Sequence, residues 1–210
     1  MKKLSYLLVV ILILSLSVLG CTSNEAQDSS TSENGVDDQF VTVLTGGSSG
    51  PYFALGGALS NLINQNLDYA NSSVESTGAS AVNSTKIGNN EAELAFAMNN
   101  VVSFAYEGVE SFEDKNKFSN LRGITSLYPN YVQVITTKDT GLTQIEDLKG
   151  KRVGVGAPGS GTEVDARNIL ATHNITYDDI KEDYLPYSES VEQLKNGTID
   201  AAFLTSGLPN

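Results

Sequence analysis

The chain is 210 residues long and carries 25 acidic against 13 basic side chains, a formal net charge of −12 at pH 7. That balance repels nucleic acid and acidic lipid, so neither is expected as a partner, and any anionic ligand must be held by local donors against the overall field. Cys21 is the only cysteine, which excludes an intrachain disulfide.

Residues 1–20 read as a leader. Lys2 and Lys3 precede an apolar run from Leu4 to Leu19, which as a helix would span about 24 Å against a hydrocarbon core of about 30 Å. That is the pattern of a secretion signal more than of a membrane anchor. Val18-Leu19-Gly20-Cys21 resembles a bacterial lipoprotein cleavage box, in which Cys21 is acylated and becomes the new N-terminus. Ordinary signal cleavage beside an incidental cysteine is the alternative. Acylation by more than one chain would hold the protein on a membrane surface. Losing the leader removes two lysines and no acid, leaving 11 basic side chains.

Residues 21–39 read as a flexible tether. Thr22 to Gln39 holds five acids, no Lys or Arg and no aromatic residue, too little apolar surface to order itself. Random-coil scaling gives it a reach of about 20 to 25 Å.

A first α/β lobe is expected over residues 40–137. Phe40 to Leu44 reads as a strand, followed by the turn Thr45-Gly46-Gly47-Ser48-Ser49-Gly50-Pro51-Tyr52-Phe53. A helix follows with Leu55, Leu59, Leu62 and Ile63 at helical spacing, Pro51 sitting in its first turn. Glycines admit a ligand close to the backbone, and a helix start offers unpaired N–H donors, so this stretch can cradle a small anion or carboxylate; a plain strand-to-helix turn is the alternative. Ala70 to Thr77 reads as a second strand and Gly78 to Gly88 as a second helix. Glu93 to Ala97 is a third strand, and Met98, Val101, Val102 and Ala105 follow helical spacing with Asn99 at the junction. Three strand-to-helix units in series argue for a largely parallel sheet. Ser111 to Ser119 is loop-like, and the apolar segments Leu121 to Leu127 and Tyr131 to Thr137 close the lobe, with the crossover near residues 136 to 141.

A partial second α/β lobe is expected over residues 138–210. Thr143 to Lys149 reads as a short helix stopped by Gly150. Arg152 to Gly156 is a strand, Ser160 to Thr172 a helix, and Tyr184 to Tyr187 a short strand. Ser188 can cap a helix that carries Val191 and Leu194 and ends at Gly197. Ile199 to Leu204 is the last strand.

Several motifs compete for the chemistry. Gly46 to Gly50 matches G-x-S-x-G, which would make Ser48 a hydrolase nucleophile. That mechanism needs a histidine, and His173, the only one, falls at the far end of a helix, near its negative dipole end. Gly154-Val155-Gly156-Ala157-Pro158-Gly159 matches the dinucleotide fingerprint, with Asp178 and Asp179 about 20 residues on. Those acids sit in a polar Tyr-Asp-Asp-Ile segment, not at the end of an apolar strand. Gly156 to Thr162 has phosphate-loop spacing but places Thr162 where the lysine belongs. No His, Cys or carboxylate spacing favours a metal, and no cofactor is expected. Only Arg122, Arg152 and Arg167 could offer a guanidinium fork.

What remains is a feature shared by both lobes. Gly46 to Tyr52 and Gly156 to Thr162 are both Gly/Ser-rich turns between a strand and a helix start. Facing each other across a cleft, they would grip a small anionic or zwitterionic solute.

From Val41 to Asn210 the chain resembles the TAXI group of extracytoplasmic solute receptors of TRAP transporters. The resemblance rests on Thr45 to Phe53, on Ser76-Thr77-Gly78-Ala79-Ser80 with Asn83, and on Leu94 to Asn100 leading into Ala105-Tyr106-Glu107-Gly108. It continues through Asp147 to Glu163 and ends with Asn196-Gly197-Thr198-Ile199-Asp200-Ala201-Ala202-Phe203. It implies a two-lobed α/β fold of the periplasmic-binding-protein type II kind. It implies capture of a small carboxylate or amino acid such as glutamate, and delivery to an ion-driven TRAP-type permease. Implied ligand contacts are Thr45, Gly46, Gly47, Ser48, Ser49 and Tyr52 in the first turn, then Thr77, Ser80, Asn99 and Tyr128, and Gly159, Ser160, Gly161 and Thr162 in the second. Asn99 departs from the polar residue that relatives often carry there. Family members also continue well past Leu208-Pro209-Asn210, so the resemblance implies an incomplete second lobe. Apolar faces and an open sheet edge would then be exposed, and the 210-residue product would bind ligand poorly or not at all. The alternatives are a lipid-anchored serine hydrolase using Ser48 and an inactive truncated paralogue.

Overall fold

The computed structural model describes residues 38–114 and 117–208. The leader, Cys21 and nearly all of the tether fall outside the described residues. The described residues fall in one compact unit, and it holds two sheets.

The first sheet is parallel, with β1 (Gln39–Leu44) between β2 (Ala70–Glu75) and β3 (Leu94–Ala95). Val43 pairs with Val74 on one side and Leu94 on the other. Three helices follow these strands in turn: α1 (Pro51–Asn66), α2 (Ser80–Gly88) and α3 (Asn99–Glu107). Pro51 opens α1 as expected. The face that α1 buries differs from the expected leucine stripe. Gly56 and Ser60 point inward, whereas Leu62 is 58% exposed and Leu55 and Phe53 are also exposed. A Cβ on Gly56 would come within 2.3 Å of the Thr45 methyl, so the glycine is what lets the helix lie this close to the end of β1.

The second sheet has the order β4-β7-β5-β6, built from β4 (Tyr131–Thr136), β5 (Arg152–Gly154), β6 (Lys181–Asp183) and β7 (Ala201–Ser206). β5 is parallel to β6 and β7, and β4 runs antiparallel to β7. The crossing between sheets therefore precedes Tyr131 and does not lie at residues 136 to 141. Tyr131 to Thr136 has its hydrogen-bonding partners on β7, so it belongs to the second lobe.

Other boundaries move for local reasons. Asp147 and the Gln144 side chain cap each other's backbone around Ile145–Leu148, which closes as a 3₁₀ turn. Tyr184 to Tyr187 is not a strand. Pro186 has no N–H to give a ladder, so the strand lies earlier, at β6, and Pro186 instead precedes α5 (Tyr187–Lys195), leaving Ser188 inside the helix.

Every residue of β7 is buried. Ala201 and Phe203 pack with Val153, Ala166 and Leu170, residues of β5 and α4 (Gly161–Thr172), while Ala202 packs with Leu185, Leu194 and Ile199 on the α5 side. Helices on both faces of a parallel strand explain its continuous apolar run. The expected exposure of the second sheet is therefore confined among its strands to flanking ones: Tyr131 and Val134 of β4 are exposed.

Candidate functional site

A cleft of about 160 Å³ opens between the two sheets, and both glycine turns line it. From the first turn come Gly46, Gly47, Ser49, Gly50, Pro51 and Tyr52; from the second come Ala157, Ser160, Gly161 and Thr162. The start of α2 adds Thr77, Gly78, Ala79 and Ser80.

The loop before α2 is built around Asn83, which is fully buried. Its amide donates to the Thr45 carbonyl at 2.7 Å and to the Phe96 carbonyl at 2.8 Å. Thr77 Oγ1 lies 2.7 Å from the Thr45 carbonyl and 2.6 Å from Asn83 Oδ1, and it accepts the Ala79 amide at 2.9 Å. These bonds hold Ala79 at φ 77, a left-handed backbone that costs a residue with a Cβ about 1 to 3 kcal/mol. A strained alanine therefore forms part of the wall.

In the second turn, Ser160 caps α4 by accepting the Glu163 amide at 3.1 Å. Gly161 and Thr162 occupy the first two helical positions, whose N–H groups have no intrahelical acceptor. Thr162 Oγ1 lies 2.9 Å from the Tyr187 hydroxyl. That hydroxyl donates to the Thr205 carbonyl at 2.6 Å and accepts the Thr205 amide at 3.1 Å, fastening β7 to α5. Burial pushes the Tyr52 hydroxyl up to about 12, against hydrogen bonds with Asn130 and Ser80 that act the other way. Burial also raises Tyr128 and Tyr187, so all three phenols are neutral at pH 7.

Five expected contacts do not line this cleft. Thr45 is buried behind it, its carbonyl taken by Asn83 and Thr77. Ser48 projects outward from the tip of its turn. Asn99 is exposed at the start of α3, and the residue before it, Met98, lines the cleft instead. Gly159 turns its carbonyl to the Ala81 and Val82 amides. Tyr128 lies outside the wall, with its ring against Gly207.

Pro186, Tyr187 and Thr205 line the cleft without having been expected. No glycine motif marks them. The one local signal is Pro186, a helix-start residue next to a tyrosine.

The competing motifs resolve structurally. His173 Nδ1 pairs with Glu146 at 2.6 Å, beyond the far end of α4, a helix about 18 Å long whose other end is at the cleft, so Ser48 has no histidine base nearby. Asp179 accepts the Thr176 amide at 2.9 Å within a 3₁₀ turn and is not a ribose-binding acid at a strand end. Among the described residues no cluster of three metal-binding side chains exists, and no helix is long and apolar enough to cross a membrane. A second depression of similar volume, beside Glu110, Glu113 and Arg167, has its guanidinium paired with Glu163 and touches neither glycine turn.

Residues 43–210 match the model of the NMT1-like family. The fold is similar to that of a binding protein component of an ABC phosphonate transporter from Pseudomonas aeruginosa, at 14% identity and a TM-score of 0.57, over 81% of this chain and 58% of that one. It is similar to the alkanesulfonate-binding protein from Xanthomonas axonopodis pv. citri, at 16% identity and a TM-score of 0.52, over 80% and 55% of the two chains. A substrate binding protein of an ABC uptake transporter from Streptococcus pneumoniae, solved with bound histidine, matches at 16% identity and 0.52, over 79% and 65%. The chain thus spans less than two thirds of the length of each of these structures. The architecture is the two-lobed α/β fold of periplasmic solute-binding proteins.

Proposed function

The chain belongs to the NMT1-like family, and from that premise we propose that it is an extracytoplasmic solute-binding receptor for a small carboxylate or amino acid. One observation carries the reading: two strand-to-helix turns more than a hundred residues apart, around Gly46 and Ser160, line one cleft between two sheets. A solute there meets α4's N-terminal amides and the walls of both lobes together, the arrangement that lets a receptor close over its cargo.

The similar proteins from Pseudomonas aeruginosa, Xanthomonas axonopodis and Streptococcus pneumoniae serve or bind a phosphonate transporter, an alkanesulfonate and histidine. They support a role in uptake. The resemblance of Thr45 to Phe53 and Asp147 to Glu163 to the TAXI group supports an ion-driven TRAP-type permease as the membrane partner. Acylation at Cys21, with residues 21–39 as a tether, would keep the receptor beside it.

A screen of small carboxylates, sulfonates and amino acids by thermal shift, followed by calorimetry, tests the reading. Saturable binding lost on Gly161→Val is expected. A folded chain that binds nothing across the screen rejects it. Co-purification with a multispanning permease tests the transport partner.

A further inference from the structure

The cleft carries no charge. Among the described residues no Asp, Glu, Lys, Arg or His lines it. The three guanidiniums are spent elsewhere: Arg122 on the Ser119 and Leu121 carbonyls, Arg152 on Asp200 and Arg167 on Glu163. Three carbonyls behind the walls are also taken, that of Thr45 by Asn83, that of Gly159 by Ala81 and Val82, and that of Thr205 by Tyr187. The wall presents the N-terminus of α4, with the free amides of Gly161 and Thr162, beside the apolar surfaces of Tyr52, Met98, Pro51 and Pro186.

Among the described residues, one buried side-chain polar atom in the wall is unspent. Thr205 is 4% exposed and lines the cleft, and its Oγ1 has no hydrogen-bond partner. Tyr187 holds both the amide and the carbonyl of the same residue, so the side chain is fixed in place beside a neutral phenol. A buried hydroxyl without a partner is costly, and native structures keep few of them.

These features define a ligand class. A helix N-terminus supplies about half a positive charge, enough for one anionic head. An ammonium would lose its water and meet no carboxylate in the wall, and a second carboxylate would meet no cation there. Resting on the receptor reading, we propose that this cleft selects singly charged organic anions with an apolar body, excludes α-amino acids and dicarboxylates, and reads its ligand through Thr205 Oγ1. The glutamate-like solute is thereby set aside in favour of a monoacid.

Calorimetry with four probes of matched size tests this: 4-methylpentanoate, L-leucine, glutarate and 4-methylpentanamide. The monoacid is expected to bind at least about tenfold more tightly than the other three. Thr205→Val should weaken monoacid binding about five- to tenfold. It should leave the unliganded melting temperature unchanged or raised, since the hydroxyl has no partner to lose. Leucine or glutarate binding as tightly as the monoacid overturns the proposal while leaving a receptor in place, and equal binding of the amide overturns the need for a charge. Monoacid affinity unchanged in Thr205→Val overturns the part given to that hydroxyl. A folded chain that binds none of the four overturns the proposal, and the wider screen then decides the receptor reading separately.

Discussion

The Gly159 carbonyl accepts the Ala81 amide at 3.0 Å, so the glycine turn of one lobe caps a helix of the other. The contact continues through a tight seam. A Cβ on Gly78 would come within 2.5 Å of the Pro158 carbonyl, and one on Gly161 within 2.6 Å of Met98 Sδ. Val164 of α4 joins the core cluster formed by Ala81, Met98, Val101 and Ala105 of the first lobe. The floor of the cleft is thus built from backbone on both sides, which accounts for the concentration of glycines there.

Gly159→Ala should break this seam. The residue sits at φ 72, and a Cβ would meet Val82 Cγ2 at 2.6 Å. The strain and the clash together predict a loss of about 2 kcal/mol. Urea denaturation checks it, with Gly141→Ala as control, since that glycine has a similar φ of 68 and open space around it. Equal losses in the two variants would show that conformation alone, and not the lobe contact, is responsible.

Asn83→Leu should cost more. It strands the Thr45 and Phe96 carbonyls and removes an acceptor facing Thr77, all within a buried site. Unpaired buried polar groups of this kind predict a loss of about 3 kcal/mol. Because Ala79 is held by the same network, solute affinity should fall in the fraction that remains folded. Denaturant melts and titrations on one preparation separate the two effects, and a loss under about 1 kcal/mol would mean that water replaces the amide.

Much of this was legible in the sequence, because glycine turns and periodic runs are local signals. Strand β1, Pro51 at the start of α1, and the helix α4 beginning beside Ser160 are all set by residues next to them. What was illegible depends on distant partners. Tyr131 to Thr136 reads equally well as the end of one lobe or the start of another until its pairing with β7 is seen. The leucines of α1 look like a core face, yet Gly56 and Ser60 win because only small residues allow close approach to Thr45. Thr205 carries no motif and matters only because Tyr187 holds its backbone.

Asp165→Asn should stabilise the protein at neutral pH. Burial pushes the Asp165 carboxyl up, outweighing the 2.8 Å hydrogen bond from Asn100 across the lobes. A folded-state value above the unfolded one, about 3.9, means that the carboxyl's favourable contribution is complete below that pH and is lost as pH rises through the folded value. At pH 7 the ionised group is a burden. The asparagine oxygen can still accept from Asn100 Nδ2, so the variant should melt higher than the parent at pH 7 and alike near pH 3. A variant destabilised equally at both would show that the interlobe bond requires the charge.

Asp200 has the opposite sign. Its carboxylate accepts the Arg152 amide at 2.9 Å and the guanidinium at 3.1 and 2.6 Å, tying the start of β5 to the entry of β7. These bonds hold its pKa down at about 2. With the folded value below the unfolded one, the stabilisation is complete above about pH 4 and is lost as pH falls through 2. Arg152 is 44% exposed, so solvent screens the pair and Asp200→Asn should cost only about 1 kcal/mol at pH 7. The backbone pairing of β5 with β7, including the Asp200 amide on the Arg152 carbonyl at 2.8 Å, is untouched by the substitution and should keep the fold intact. Denaturant midpoints of parent and variant, followed from pH 7 to 2, should converge at the acid end. A gap that stays constant over that range would mean that the ion pair contributes through geometry alone.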